Sequence, residues 1–288
     1  VNRPDILQRQ GLYKVPNDAS PIMGLEVAGE IVELGRDVKR QKIGQYVCAL
    51  VPGGGYAEYV VTNESHCLPI PNGLSIEEAG GLCECLFTVW VNMVKLGQLK
   101  ENETFLVHGG SSGIGMYAIQ LAKQLGATVL TTVKNQEKSD FCYSLGADEV
   151  VQYSKEDFHD VFRGKDEKRG VDLILDMIGG DYFEKNLDLL NEEGRLVNIA
   201  FLKGNSVNLN LSQLMMKRIT LTGSTLRPRT VEFKSKVASE LLKIVWPLLE
   251  DHKIRVHIDS IFPLEKFKDA HIRMESGNHF GKIILSLD

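Results

Sequence analysis

The run Val107-His108-Gly109-Gly110-Ser111-Ser112-Gly113-Ile114-Gly115 carries the clearest chemical signal in the chain. It follows the apolar stretch Phe105–His108 and opens the amphipathic stretch Gly113–Leu125, so it reads as strand, glycine turn and helix start. Glycines permit the tight turn and let backbone approach a bulky anion; the free N–H groups and dipole of the helix then favour that anion by about 0.3 to 2 kcal/mol each. Gly110, Ser111, Ser112, Gly113 and Ile114 are the candidates to cradle a diphosphate. Ser112 stands where G-x-G-x-x-G has its middle glycine, and its hydroxyl can donate to a phosphate. A bare helix start without ligand is the alternative, and the strand–helix units that follow weigh against it.

Roughly 20 residues on, a site selective for NAD places an acid against the adenosine ribose. This chain instead reads Thr131-Thr132-Val133-Lys134-Asn135-Gln136-Glu137-Lys138, with no acid at the strand end. Thr132, Lys134, Asn135 and Lys138 are therefore candidate cofactor contacts, the lysines meeting a 2′-phosphate. A charge-assisted hydrogen bond is worth about 1.5 to 3 kcal/mol, so the stretch points to NADPH over NADH. Two lysines on a solvated helix face would look the same.

The elements that must hold this turn are legible around it. Short apolar strands at Phe105–His108, Val129–Val133, Glu149–Tyr153, Leu173–Met177, Leu196–Ala200 and Ile219–Gly223 alternate with helices, the pattern of a doubly wound parallel α/β sheet. Before it, Glu26–Val32 and Tyr56–Val61 read as β-strands set off by turns at Gly44 and Gly53-Gly54-Gly55, as in a small, mostly antiparallel β-barrel. After it come a helix at Val231–Leu249, a helix at Phe267–Glu275 and a strand at Lys282–Leu287. That tail is too short for a third domain, so it is expected to rejoin the first segment. The 288 residues, 43% hydrophobic and 25% charged, suit two globular domains.

A formal net charge of −5 speaks against a nucleic-acid binder. No apolar run reaches the roughly 18 residues of a membrane span. Five cysteines without framework spacing suit a reducing cytoplasm rather than a disulfide scaffold. Cys83-Glu84-Cys85 is the one suggestive thiol cluster, and two thiols without a second pair read as neutral packed groups. The opening Val1-Asn2-Arg3-Pro4-Asp5 is no signal sequence and reads as the inside of a loop, so an initial segment is expected to be missing.

Taken together, these residues resemble the zinc-free quinone oxidoreductases, zeta-crystallin-like members of the medium-chain dehydrogenase/reductase superfamily. The resemblance runs through Val1–Asp5, Gly24-Leu25-Glu26-Val27-Ala28-Gly29, Gly53–Tyr59, the glycine turn with Ala118–Ala122, Leu145-Gly146-Ala147 and Gly281-Lys282-Ile283. It implies a Rossmann NADPH-binding domain, residues 86–228, inserted in a discontinuous GroES-like catalytic domain, residues 1–85 and 229–288. It also implies cofactor contacts at Thr88 and near the nicotinamide at Phe201, Leu202 and Phe280-Gly281-Lys282, with Tyr153 near the adenosine phosphate. Taken alone, Thr88 would be a helix residue, Phe201 core, and Lys282 a strand-end surface charge. Zinc-dependent relatives use a cysteine near the start, Gly-His-Glu and a four-cysteine lobe; here stand Asn2, Leu25 with Glu26 retained, and no lobe, so no metal is expected.

The activity implied is hydride transfer from NADPH to a quinone, in which the protein positions two rings and excludes water. Asn2 and Tyr13 are the candidate catalytic residues that orient the acceptor and steady its oxygen, with Asp5 fixing the loop; Asn2 and Asp5 equally suit a cap on the helix-like run Ile6–Gln10. Reduction of an activated double bond in an enal or enoyl thioester is the second enzymatic reading. An NADPH-binding structural or sensor protein is a third. The glycine run also resembles that of short-chain dehydrogenases, but none of Tyr117, Tyr143, Tyr153 or Tyr182 has the lysine four residues on that their Tyr-x-x-x-Lys requires. Expected partners are a small quinone or other electrophilic acceptor and a second copy of the chain, as homodimer or homotetramer, the strand near Gly223 being a candidate for pairing.

Overall fold

Runs of β-branched and apolar residues that are buried on both faces build the strands of a parallel sheet. The computed structural model describes residues 1–164 and 170–287, and its contacts divide them into two units, one of Val1–Thr88 with the chain from Leu226 onward, the other Val89–Thr225.

The first unit opens with a helix at Arg3–Arg9, followed by strands β1 (Glu26–Glu30), β2 (Tyr46–Leu50) and β3 (Cys67–Pro69) in one antiparallel sheet. In register, Glu26 lies opposite Leu50 and Val47 opposite Pro69. The run Tyr56–Val61, expected as a strand, forms none. Gly54 (φ +91°) turns the chain across residues 22–24, where Gly54 N–H donates to Ile22 O at 2.8 Å and Tyr56 N–H to Met23 O at 2.9 Å. A Cβ at Gly24 would come within 2.6 Å of Gly55 Cα, so these two glycine segments touch as only glycines can.

The second unit adds β4 (Thr104–His108), β5 (Thr128–Val133), β6 (Glu149–Gln152), β7 (Val171–Asp176), β8 (Leu190–Asn198) and β9 (Thr220–Gly223). Their order in the sheet is β6-β5-β4-β7-β8-β9, with every pairing parallel. The chain therefore winds one way from β4 and then the other way from β7, which makes the edge between β4 and β7 the switch point where open α/β sheets take their ligands. Leu106, Leu130, Val151, Ile174 and Leu196 from five strands meet Phe158, Phe162 and Tyr182 in one core. The helices Gly113–Gln124, Gln136–Ser144 and Tyr182–Leu189 connect the strands.

The chain then returns to the first unit through the helix Val231–Glu250, capped by Thr230, whose hydroxyl accepts from Phe233 N–H at 3.2 Å. Trp246 Nε1–H donates to Pro69 O at 2.7 Å, tying this helix to β3. Strands β10 (Ile258–Pro263) and β11 (Lys282–Ser286) pair in parallel around the helix Phe267–Glu275. β10 is absent from the sequence reading, because Asp259 and Ser260 break its apolar pattern. Among the described residues no helix is long and apolar enough to cross a membrane.

Candidate functional site

The glycine turn leaves the carboxyl end of β4. Gly109 (φ +73°) bends it, and the N–H groups of Gly109 and Gly110 donate to Thr132 O at 3.0 and 3.2 Å. Ser112 caps the helix Gly113–Gln124, its hydroxyl accepting from Gly115 N–H at 3.0 Å. That uses a lone pair and leaves the hydroxyl proton to donate. The amides of Gly113 and Ile114 lie in the first helical turn, where no intrahelical carbonyl reaches them. A Cβ at Gly110 would stand 2.3 Å from Thr131 Oγ1, and one at Gly115 2.4 Å from Gly109 O. The helix thus packs on the turn and the neighbouring strand with no room for a side chain at either glycine, and the first-turn amides with the Ser112 hydroxyl fit a diphosphate.

The other predicted cofactor contacts of this unit fall along the same carboxyl edge of the sheet. Lys134 is exposed just beyond β5. Tyr153, 47% exposed, follows β6 and donates its N–H to Val133 O at 3.0 Å. Phe201 and Leu202 follow β8, and Leu202 N–H donates to Met177 O at 3.1 Å. Phe201 is exposed, so the view of it as a core residue is overturned. Asn135 caps the helix Gln136–Ser144, accepting from Lys138 N–H at 3.1 Å. Lys138 is buried rather than on a solvated face. Thr132 is also buried, so it serves the turn through its carbonyl while its hydroxyl meets His108 Nδ1 at 3.0 Å. His108 Nε2 meets Asn186 Oδ1 at 2.8 Å, which puts the ring proton on Nε2 and leaves Nδ1 to accept from Thr132. Burial holds this imidazole below its ordinary range.

In the first unit the predicted residues meet around a buried ion pair. Lys282 Nζ donates to Glu26 Oε1 at 2.6 Å and to Asn2 Oδ1 at 2.7 Å, with Cys85 Sγ at 3.6 Å. Asn2 Nδ2 also donates to Glu26 Oε1 at 2.8 Å, and Glu26 Oε2 accepts from Glu84 N–H at 2.8 Å. Lys282 is 2% exposed, so its reading as a surface charge is overturned. Burial opposes the charge of both partners. The attraction of Lys282 nonetheless holds the Glu26 carboxyl below the usual range, and Cys85 and Glu26 hold the Lys282 ammonium above its own.

Asp5 does the capping: its Oδ2 accepts from Asn2 N–H at 2.7 Å, and Oδ1 from Gly24 N–H at 3.0 Å. Tyr56 adds its hydroxyl to Oδ2 at 3.3 Å and meets His271 Nε2 at 3.0 Å. Arg9 Nη1, a donor only, faces His271 Nδ1 at 3.2 Å. Donation therefore runs one way, from Arg9 to His271 to Tyr56 to Asp5, and keeps Asp5 an acceptor. Tyr13 lies partly buried under the Arg227 guanidinium, 5.4 Å from its ring centre, and burial pushes its phenol to about 12. Thr88 is partly exposed, and Phe280 N–H donates to Asp259 Oδ1 at 3.0 Å.

Sequence reasoning gave no role to Glu84, Tyr56, Arg227 or His271. One signal was available for Glu84, a lone acid in the run from Leu82 to Val89, which is apolar apart from it and Thr88. A hydrogen bond with Cys48, and then burial, hold the Cys83 thiol above its ordinary value, and burial drives the Cys85 thiol up to about 12, so they are neutral. Among the described residues no three His, Cys, Asp or Glu side chains converge to hold a metal, and the Lys282 ammonium already occupies the Glu26 carboxylate.

Two family models match the chain, an alcohol dehydrogenase GroES-like domain over residues 1–72 and a zinc-binding dehydrogenase model over residues 145–285. A quinone oxidoreductase of Pseudomonas aeruginosa is 30% identical over 99% of this chain and 87% of its own length. The synaptic vesicle membrane protein VAT-1 homolog of Danio rerio is 28% identical over the whole chain, which spans 62% of that protein. A Mycobacterium tuberculosis polyketide synthase subunit is 26% identical, and the chain spans 13% of it. The crystal structure of Escherichia coli quinone oxidoreductase complexed with NADPH superposes with a TM-score of 0.88 at 27% identity, covering 99% of this chain and 88% of that one.

Proposed function

The chain belongs to the zinc-independent quinone oxidoreductase group of the medium-chain dehydrogenase/reductase superfamily, and from that premise we propose that it is an NADPH-dependent reductase of quinones. The observation that carries the reading is the glycine turn at the carboxyl end of β4, where the first-turn amides of Gly113 and Ile114 have no intrahelical carbonyl and the capping Ser112 keeps its hydroxyl proton to donate. The chain binds NADPH there: Gly113 and Ile114 hold the diphosphate, and Lys134 meets the 2′-phosphate. Bound NADPH supplies the hydride.

The protein's own residues position and protect. Tyr13, its phenol held protonated, donates a hydrogen bond to the acceptor's oxygen. Asn2 is locked between Glu26 and Lys282, and Asp5 sets the helix start that carries it. Five free cysteines suit a reducing compartment such as the cytoplasm. Strand β9, at the edge of the parallel sheet, is the place for a second copy to pair.

Rates of NADPH and NADH oxidation against 1,2- and 1,4-quinones, enals and enoyl thioesters test the reading. The expected result is turnover of quinones with NADPH preferred. Faster turnover of enals or enoyl thioesters would move the assignment to double-bond reduction, and tight NADPH binding without turnover of any acceptor would leave a binding protein.

A further inference from the structure

The helix Cys83–Val89 buries five of its seven residues, and only Glu84 and Thr88 are partly open. Residues four apart stand one above the other on a helix, so these two form its single accessible stripe. Thr88 is the residue that the family resemblance sets beside the nicotinamide half of the cofactor. One turn away, Glu84 stands beside Glu26, its backbone N–H donating to Glu26 Oε2 at 2.8 Å.

Glu26 and Glu84 are neighbours in opposite circumstances. Glu26 receives Lys282, Asn2 and the Glu84 amide, enough to fix it as a carboxylate. Burial and then the Glu26 charge push the Glu84 carboxyl up to about 8; Asp5 acts in the same direction, while Lys282 and Lys234 oppose it. Arg227, Tyr13 and Cys85 lie within reach of the same charge. An acid in the first turn of a helix is ordinarily stabilised as the anion by the helix dipole, so an acid that only capped this helix would be shifted the other way. Two carboxyls whose surroundings drive their protons apart are how proteins separate a fixed charge from a working acid.

We propose that Glu84 is the proton donor of the reaction, a role that rests on the reductase reading above. Hydride arriving on the acceptor leaves a negative charge on its oxygen. The O–H bond of the Glu84 carboxylic acid breaks, a new O–H bond forms on the product, and the Glu84 carboxylate regains a proton from water through its exposed side once the product has left. Glu26 and Lys282 remain charged throughout and hold the helix start in place.

The test compares wild type, Glu84→Gln and Glu84→Asp. In protein without cofactor, infrared difference spectra are expected to show a protonated carboxyl that titrates near 8 and is missing from E84Q. In turnover, wild type should lose rate as pH rises through that value; E84Q should lose this limb and run about 100-fold slower or more, while E84D keeps the limb. NADPH affinity should stay within about twofold by calorimetry. An E84Q rate within about threefold of wild type with the limb intact, or no carboxyl titrating above the usual range, overturns the assignment. If E84Q does not fold, the wild-type infrared titration and the E84D profile decide. A wild type that reduces no acceptor overturns the reductase reading and the assignment with it, whereas an active wild type beside an equally active E84Q overturns the assignment alone.

Discussion

Replacing Lys282 by Met tests the ion pair on which the first unit's cluster is built. The ammonium and the Glu26 carboxylate stand 2.6 Å apart with side chains 2% and 4% exposed. Across an effective dielectric constant of about 20, charges at that distance attract by about 6 kcal/mol. Desolvation offsets part of this, and breaking such a pair from one side costs about 3 to 5 kcal/mol because the other charge is left buried and alone. At about 2 to 4 °C per kcal/mol for a domain of this size, Lys282→Met should melt about 6 to 20 °C below wild type by scanning calorimetry at pH 7. Glu26→Gln with Lys282→Met removes both charges and should recover more than half of the loss. The depressed Glu26 carboxyl contributes stability that is present above the ordinary carboxylate range and is lost as pH falls through its folded value. The raised Lys282 contributes below the ordinary lysine range and is lost at higher pH. Between those limits the effect should be flat in wild type, whereas the single variant should regain stability toward pH 5 as Glu26 takes a proton. A single variant melting within about 1 °C of wild type, or a double variant no better than the single, would refute the argument.

Gly115→Ala puts a methyl group 2.4 Å from Gly109 O and 2.5 Å from Gly110 Cα, so NADPH affinity should fall at least tenfold by calorimetry; unchanged affinity would remove the turn from the cofactor site. Lys134→Ala should cut the preference for NADPH over NADH by about 10- to 100-fold, one charge-assisted hydrogen bond, with kcat for NADH little changed; an unaltered ratio would assign selectivity elsewhere. Because burial holds His108 below its ordinary range, its contribution is full above that range and declines as pH falls. Melting temperature should therefore drop between pH 7.5 and 5, and His108→Asn, about 1 to 3 kcal/mol less stable for the partners it leaves unpaired, should show a shallower drop.

Much of the second unit was legible because its signals are local. Strand, glycine turn and helix start follow one another within the stretch 104–115, whereas Asn135, expected as a cofactor contact, caps the next helix. The first unit was less so. Tyr56–Val61 has the composition of a strand, but the backbone of Gly53 to Gly55 is spent crossing residues 20–24 instead of entering a ladder. Strand β10 was missed because Asp259, which pairs with Arg273 at 2.6 Å, reads as a loop residue until its partner is in place.

By itself the sequence determined the alternation of strands and helices in the second unit and the glycine turn after its first strand, since each depends on residues close in the chain. Only the tertiary structure decided what the charges do. Lys282 meets Glu26 across 256 residues and Asn2 across 280. No local pattern encodes either contact. Glu84 differs from any other helix-start glutamate only because folding buries it beside Glu26, and a carboxyl's hold on its proton depends on which water and which charges lie around it.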